Sequence, residues 1–274
     1  WVSKVPQTLT GNSFNQLYIN GELRTLARTP NKGFFRTNGP ADNPYMQFKY
    51  NDSDVKPVSD LTDLTVHVYH GWSTTRNHLA NIDPIKKVVT LATSYNAWFP
   101  FGFFEKNQRY YIENTFDALD APGEWYLQRA TGLLFYYPLP GETIDQVKAT
   151  APVLPQLLEL NGNANSVLYT EHIVFRGLSF QYADWRFPGA NELQDQAAVF
   201  LTAAIQTSFA RNLIFDHIEV ARVGAYAISL GQGTQNSTIR NANLHDLGGG
   251  GIKIGTTLGS KPDNDPAAVI YNTV

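Results

Sequence analysis

Cysteine is absent from the 274 residues, so this chain has neither a disulfide framework nor thiolate chemistry open to it. Charge is scarce as well: Asp, Glu, Lys and Arg make up 16% of the residues, the net charge is −3, and no basic run occurs. The electrostatic footprint of a nucleic-acid binder is therefore missing, as is polybasic attachment to a membrane. No apolar stretch approaches the ~18 residues of a membrane span. No GK[ST] comes after the four glycines Gly248 to Gly251, and the next segment is strand-like rather than helical, so these glycines are not a nucleotide loop. No Gly-x-Ser-x-Gly elbow appears, which removes the main support for an esterase. His67 and His70, three apart on an alternating segment, face opposite sides and do not share a metal. No motif calls for a cofactor. The first residue is Trp1 rather than Met and no charged-then-apolar leader precedes the body, which reads as a processed or excised piece with any export signal out of view.

What the chain has in quantity is alternation, punctuated by Asn and Gly. The stretch Asn236 to Gly255 alternates polar and apolar residues (Ile239, Ala242, Leu244, Leu247), breaks at Gly248 to Gly251, and resumes as Ile252-Lys253-Ile254. It reads as strand, corner, strand. At an offset of 24, Gly248 falls on Gly224, Ile239 on Phe215, Ala242 on Ile218, Leu244 on Val220 and Leu247 on Val223. At an offset of 40, Leu213 falls on Ile173, Phe215 on Phe175, Ile218 on Leu178 and Val220 on Phe180. Repeats of roughly 20 to 30 residues, made of short apolar strands with no amphipathic helix, predict a solenoid of parallel β-coils. The longer offset is one coil plus an insertion, best placed at Trp185 to Phe200. A further coil start is expected at Val269 to Val274, offset by 32 from Ser237, with Thr256 to Pro266 looped out and the chain stopping in mid-coil.

The part before about Leu160 shows no repeat. Phe14 to Leu23 reads as a hairpin around Asn20-Gly21, and Glu124 to Tyr137 as a second one with Gly132 in the left-handed position. Leu64 to Tyr69 and Lys87 to Leu91 alternate and read as antiparallel strands. Arg28 to Pro44 reads as a long surface loop, and Ile112 to Leu119 as a short helical turn capped by Asn114. Pro138 to Pro155, with four prolines, reads as a linker. The expectation is an all-β chain: a β-sandwich-like domain over residues 1–155 and parallel β-helix coils over 156–274.

In such a stack, equivalent positions of successive coils lie one strand spacing apart, about 4.8 Å. Carboxylates in one register on adjacent coils would then sit near the ~5 Å of a retaining glycosidase pair, and two coils apart would approach the ~6.5–9.5 Å of an inverting pair. Asp246, at a strand end before the glycines, is the main candidate; glycine there removes side-chain bulk and opens room for a ligand. It reads equally as an Asx-turn residue shaping the corner. Its register partners are Arg222 and Tyr182, neither of them an acid, so a second carboxylate is sought either beyond Val274 or at Asp195, Glu192 or Asp184 on and beside the insertion, where a solvated loop is the plainer reading. Asp216 and Glu219 flank inward Ile218 and read as outward-facing. Trp185 suits stacking on a sugar ring or a lid on the core, and Arg186, Gln196 and His245 suit hydrogen bonding to hydroxyls. Lys253 points away from the core beside Asp246, either to meet an acidic sugar or simply to be solvated.

Four blocks carry a resemblance: LYINGELRTLARTPNKGFFR (Leu17 to Arg36), ENTFDALDAPGEWYLQRATGLLFYYP (Glu113 to Pro138), FRGLSFQYADW (Phe175 to Trp185) and NLHDLGGGGIKIG (Asn243 to Gly255). Together they resemble the right-handed parallel β-helix glycoside hydrolases of family 141 and their relatives, in which a β-sandwich-like insertion interrupts the early coils. The resemblance implies secreted or periplasmic bacterial enzymes that cleave α-L-fucosides or xylan with two carboxylates, Asp246 matching a catalytic position. The expected partner is an oligo- or polysaccharide. The rival readings are a polysaccharide lyase, needing an acidic sugar, usually Ca²⁺, and a base such as Lys253, and a non-catalytic glycan-binding β-helix.

Overall fold

The computed structural model describes residues 1–6, 14–52, 54–55, 58, 61, 63–71, 73–94, 103–186, 198–256 and 259–274, and residues 191–194 by their backbone. Regular structure among them is strand, apart from short 3-10 turns, and none is α-helix, so the all-β expectation holds. The chain forms two compact units: Trp1–Ser13, Leu17–Ala149 and Phe187–Ala197 make the first, Phe14–Gln16, Thr150–Arg186 and Ala198–Val274 the second.

The first unit contains a six-stranded and an eight-stranded sheet. Leu17–Ile19 and Glu22–Leu26 pair antiparallel, with Asn20 and Gly21 between them at φ 53° and 83°. Two left-handed residues give the loop the twist that its strands need, which is why Asn-Gly is favoured there. Glu124–Gln128 and Leu133–Tyr136 form the second hairpin, closed by Gly132 at φ 70°. In the larger sheet the alternation of Thr65–Tyr69 buries Val66 and Val68 against Tyr110 and Ile112 of Lys106–Glu113, with Phe48, Phe104 and Leu91 completing the core.

Three segments differ from expectation. The presumed surface loop after Arg28 holds two strands, Arg28–Thr29 and Phe35–Asn38, both paired with Lys106–Glu113. The short helical turn begins later than expected. Ile112 and Glu113 stay in the strand because a neighbour pairs with them on each side. Asn114 turns the chain at φ 63°, and Thr115, not Asn114, caps the 3-10 turn Phe116–Ala118. Finally, within the expected insertion, Asn191–Gln194 pairs with Thr74–Asp83 and adds a strand to the larger sheet.

On the opposite face of that sheet a carboxylate is buried. Glu113 is 7% exposed and accepts hydrogen bonds from Arg76 and, at 2.9 Å, from His67 Nε2. Burial pulls its pKa up, yet the charge of Arg76 and the His67 hydrogen bond hold it down at about 2. Burial lowers the pKa of His67, which therefore donates as a neutral imidazole.

The second unit is built of parallel ladders. Leu158–Asn161, Ala203–Ser208, Tyr226–Leu230 and Ile252–Ile254 form one sheet; Val174–Arg176, Ile214–Asp216 and Thr238–Arg240 a second; Ser179–Ala183, Glu219–Val223 and Asn243–Leu247 a third. The registers are those of the sequence offsets, with Phe175, Phe215 and Ile239 aligned and Phe180, Val220 and Leu244 aligned. Leu213, Phe215, Ile218, Val220, Ile228 and Leu230 make the fully buried interior, and the Phe175 and Phe215 rings stack at 5.1 Å and 10°. The last offset is 35 rather than 32, because Gln235 pairs with Ile270 and Thr238 with Thr273. Alternation alone leaves that register open; the corner fixes it, since Tyr271 at φ 57° takes the place that Asn236, at 49°, holds in the preceding rung.

Such corners recur. His172, Gly177 and Tyr182 are left-handed, five residues apart; so are Asn212, His217 and Arg222, and again Asn236, Asn241 and Asp246. The glycines Gly248 to Gly250 have a packing role that corrects the idea of room for a ligand. A Cβ on Gly248 would lie 2.3 Å from the Gly224 carbonyl oxygen, and one on Gly250 2.3 Å from the Tyr226 ring. They let one rung approach the next.

Candidate functional site

Asp246, the penultimate residue of the strand Asn243–Leu247, is in the left-handed region at φ 53°, aligned with Arg222 (55°) and Tyr182 (65°). This conformation breaks the strict alternation of the strand, so His245 and Asp246, though adjacent, meet on the outer face. His245 Nδ1 lies 3.0 Å from Asp246 Oδ2, and its Nε2 lies 3.1 Å from Glu219 Oε1. Glu219 comes from the rung before, and its other oxygen accepts from Ser179 and, at 2.7 Å, from Gln181 Nε2, both of the rung before that. Arg222 Nη1 donates to Gln181 Oε1 at 3.1 Å. Three successive rungs thus supply one polar row.

The electrostatics of the row are set by this geometry. Hydrogen bonds from Ser179, His245 and Gln181 hold the Glu219 carboxyl down at about 2. The Glu219 and Asp246 carboxylates raise the pKa of His245 above its ordinary value. A carboxyl oxygen faces each ring nitrogen, which favours a proton on both and hence the imidazolium.

Sequence reasoning places Glu219 facing outward, as it is here, but assigns it no partner. A signal that finds it is nonetheless present: the 40-residue offset places Ser179 on Glu219 and the 24-residue offset places His245 on Ala221, one alternation away. Asp216 faces outward as expected, opposite inward Phe215, but is covered there by its partners, its carboxylate accepting from Arg176 Nε (3.0 Å), Arg240 Nη2 (3.1 Å), His217 Nδ1 (2.8 Å) and Asn241 Nδ2 (3.0 Å). The Asn241, Arg240 and His217 hydrogen bonds hold it well below the usual carboxylate range.

Lys253 does not reach Asp246 by any described bond. It lies on the next sheet, beyond the glycine corner, and its Nζ donates to the carbonyls of Leu201 (2.6 Å) and Val199 (3.2 Å). Burial lowers its pKa. Together with Gln206, Ser229 and Phe200 it lines a groove of about 580 Å³ over the sheet that carries Tyr226–Leu230. Gly231 and Gly255 line the same groove. Asp246 does not, so the acid row and the groove occupy neighbouring sheets of one unit.

The insertion candidates go elsewhere. Asp184 is buried, with Oδ1 accepting from the Asn15 amide at 3.2 Å; the Trp185 carbonyl accepts from Asn15 Nδ2; Arg186 Nη2 donates to the Val153 carbonyl at 2.9 Å. These contacts tie chain segments together rather than extending the Asp246 row. Glu192 is described by its backbone, and Asp195 and Gln196 lie outside the described residues. Among the described residues no group of three His, Cys, Asp or Glu is arranged to hold a metal ion, and no helix is long and apolar enough to cross a membrane.

No family model matches the chain, and no curated protein matches it. Among solved structures, a catalytic domain of a GH87 alpha-1,3-glucanase in complex with tetrasaccharides aligns with 95% of the chain at a TM-score of 0.16 and 10% identity, too low to carry an argument. A protein titled "Glycoside hydrolase" aligns with 96% of the chain at a TM-score of 0.75 and 16% identity, over 53% of its own length. The chain therefore spans about half of that structure and shares its fold over that half.

Proposed function

We propose that the second unit is part of a right-handed parallel β-helix, the first a β-sandwich-like domain, and that the chain belongs to a secreted or periplasmic glycosidase acting on a plant or algal polysaccharide of the α-L-fucoside or xylan type. The observation that carries this reading is the Asp246–His245–Glu219 row, in a unit whose neighbouring sheet carries a groove of sugar size. Of the two carboxylates, Glu219 has both oxygens engaged and is held at about 2, which makes it a poor base near neutral pH. It is a positioning residue: it anchors the imidazolium that orients Asp246. Asp246 has a side chain 60% exposed, and its Oδ1 is engaged by no described donor. Asp246 acts as the acid on the leaving oxygen or as the nucleophile at the anomeric carbon. Lys253, Trp185 and Arg186 remain proposed sugar contacts. The fold shared with a protein titled "Glycoside hydrolase" supports the same class.

The lowered pKa of Lys253 favours a second reading, a lyase with Lys253 as base and Ca²⁺ on an acidic sugar. It is the weaker one, since two carbonyls already accept from that ammonium. One assay separates the readings. The chain is incubated with fucosylated and xylan-type oligosaccharides, and both reducing ends and ultraviolet-absorbing unsaturated ends are monitored. New reducing ends without unsaturation, reduced by ~10²–10⁴ in Asp246→Asn, are expected of hydrolysis. Unsaturated product supports the lyase, and undiminished turnover in Asp246→Asn removes Asp246 from the mechanism.

A further inference from the structure

We propose that the first unit carries a second glycan site, independent of the acid row, that takes a carboxylate-bearing polysaccharide. The site is a cluster of rings and guanidiniums on the outer face of the eight-stranded sheet. The pairing of Arg109 with Tyr69 and of Tyr111 with His67 puts these four on the face opposite Val66, Val68, Tyr110 and Ile112. Phe34, 39% exposed, precedes the strand Phe35–Asn38 that flanks them. The Phe34 ring lies 5.1 Å from Tyr69 and 6.3 Å from Tyr111.

The cations are placed by these rings. Arg109 lies over Tyr69 at 4.9 Å and over Phe34 at 5.2 Å, and Arg28 over Tyr111 at 3.9 Å. Arg28 also donates to the carbonyls of Pro30 (3.0 Å) and Gly33 (2.8 Å), which pins the loop that presents Phe34. Among the described residues no carboxylate lies within 4 Å of the Arg109 guanidinium and no acceptor engages it. Glu113, the acid on this face beside them, is already bonded to Arg76 and His67. The result is a weakly hydrated fork, oriented before any ligand arrives, beside an exposed ring.

Each part selects a feature of the ligand. A guanidinium fork matches a carboxylate with two parallel hydrogen bonds. An exposed aromatic ring packs against the CH face of a pyranose and adds apolar contact. A uronate residue offers both on one ring. Phe34, the exposed ring, meets Tyr69 and Tyr111 at 75° and 48°, and the stacked rings of His67 and Tyr111 lie only 4.5 Å apart, so no parallel slot receives a nucleobase.

The test uses the intact chain in affinity electrophoresis through gels containing polygalacturonate, with dextran gels and an oligothymidylate competitor as controls. Polygalacturonate should retard the chain and dextran should not. Arg109→Gln and Phe34→Ala should each weaken binding by tenfold or more, and Arg109→Lys, which keeps the charge but loses the fork, by an intermediate factor. Circular dichroism of each variant checks folding, and Arg109→Lys serves as the deciding variant should the others unfold. Equal retardation by dextran, binding unchanged in the variants, or displacement by oligothymidylate at equal concentration would each overturn the proposal. Binding is read without turnover, so the outcome is separate from that of the hydrolase assay.

Discussion

His245 Nε2 and Glu219 Oε1 lie 3.1 Å apart, joining residues 26 positions apart on adjacent rungs. The raised pKa of His245 means that its contribution to stability is complete below its ordinary value of about 6.5 and is lost as pH rises through the folded value. Glu219 acts in the opposite sense: its contribution is present above its ordinary 4.5 and lost as pH falls toward 2. Thermal midpoints of His245→Gln measured across pH should therefore lack the alkaline decline of the parent. Those of Glu219→Gln should lack part of its acid decline.

A methyl group at Gly248 meets backbone, not a mobile side chain, since the nearest atom is the Gly224 carbonyl oxygen at 2.3 Å. Gly248→Ala should cost at least the ~1–3 kcal/mol of an overpacked core, read as a lower urea midpoint. Gly251→Ala, where the nearest atom is Leu244 Cδ1 at 3.6 Å, should cost far less. Equal effects at the two positions would contradict the stacking account.

Phe215 is fully buried and stacked on Phe175. Phe215→Ala should lower stability by about 3–5 kcal/mol. Phe215→Leu should recover a good part of that in the same denaturation experiment.

In the first unit, Glu113→Gln removes the charge of the buried carboxylate that Arg76 and His67 both engage. Breaking a buried pair costs about 3–5 kcal/mol. Because the Glu113 pKa is held near 2, the parent loses this contribution only as pH falls from 4.5 toward 2, and the variant should show a smaller acid dependence of its urea midpoint.

Much of this architecture is legible in the sequence because apolar residues and corner glycines repeat on both scales at once. Phe215 aligns with Phe175 and Ile239 in the sequence as in the sheet. The misreadings are local. Alternation in Val269 to Val274 fits more than one register, and only the backbone of Tyr271 decides it. Phe35–Asn38 is hidden among Pro, Asn and Gly, though its Phe and Thr turn inward while Arg and Asn turn out. For the candidate site, Asp246 and His245 stand out beside the glycines. Glu219 does not, because a carboxylate between apolar residues has no visible partner until neighbours from two other rungs are brought against it.

The five-residue spacing of left-handed corners has a consequence for how such a chain can vary. Changes of rung length fall outside that spacing, between Asn161 and Thr170, before Ala203, between Leu230 and Gln235, and between Ile254 and Ile270, and all but the first border the groove through Val199–Thr202, Gly231–Gln232 and Gly255–Thr256. One flank keeps a fixed metric while the other accepts extra chain. The cleft's walls can thus be rebuilt by insertion or deletion while the alignment of Ser179, Glu219 and His245 stays untouched, so binding preference and the acid row are free to diverge separately.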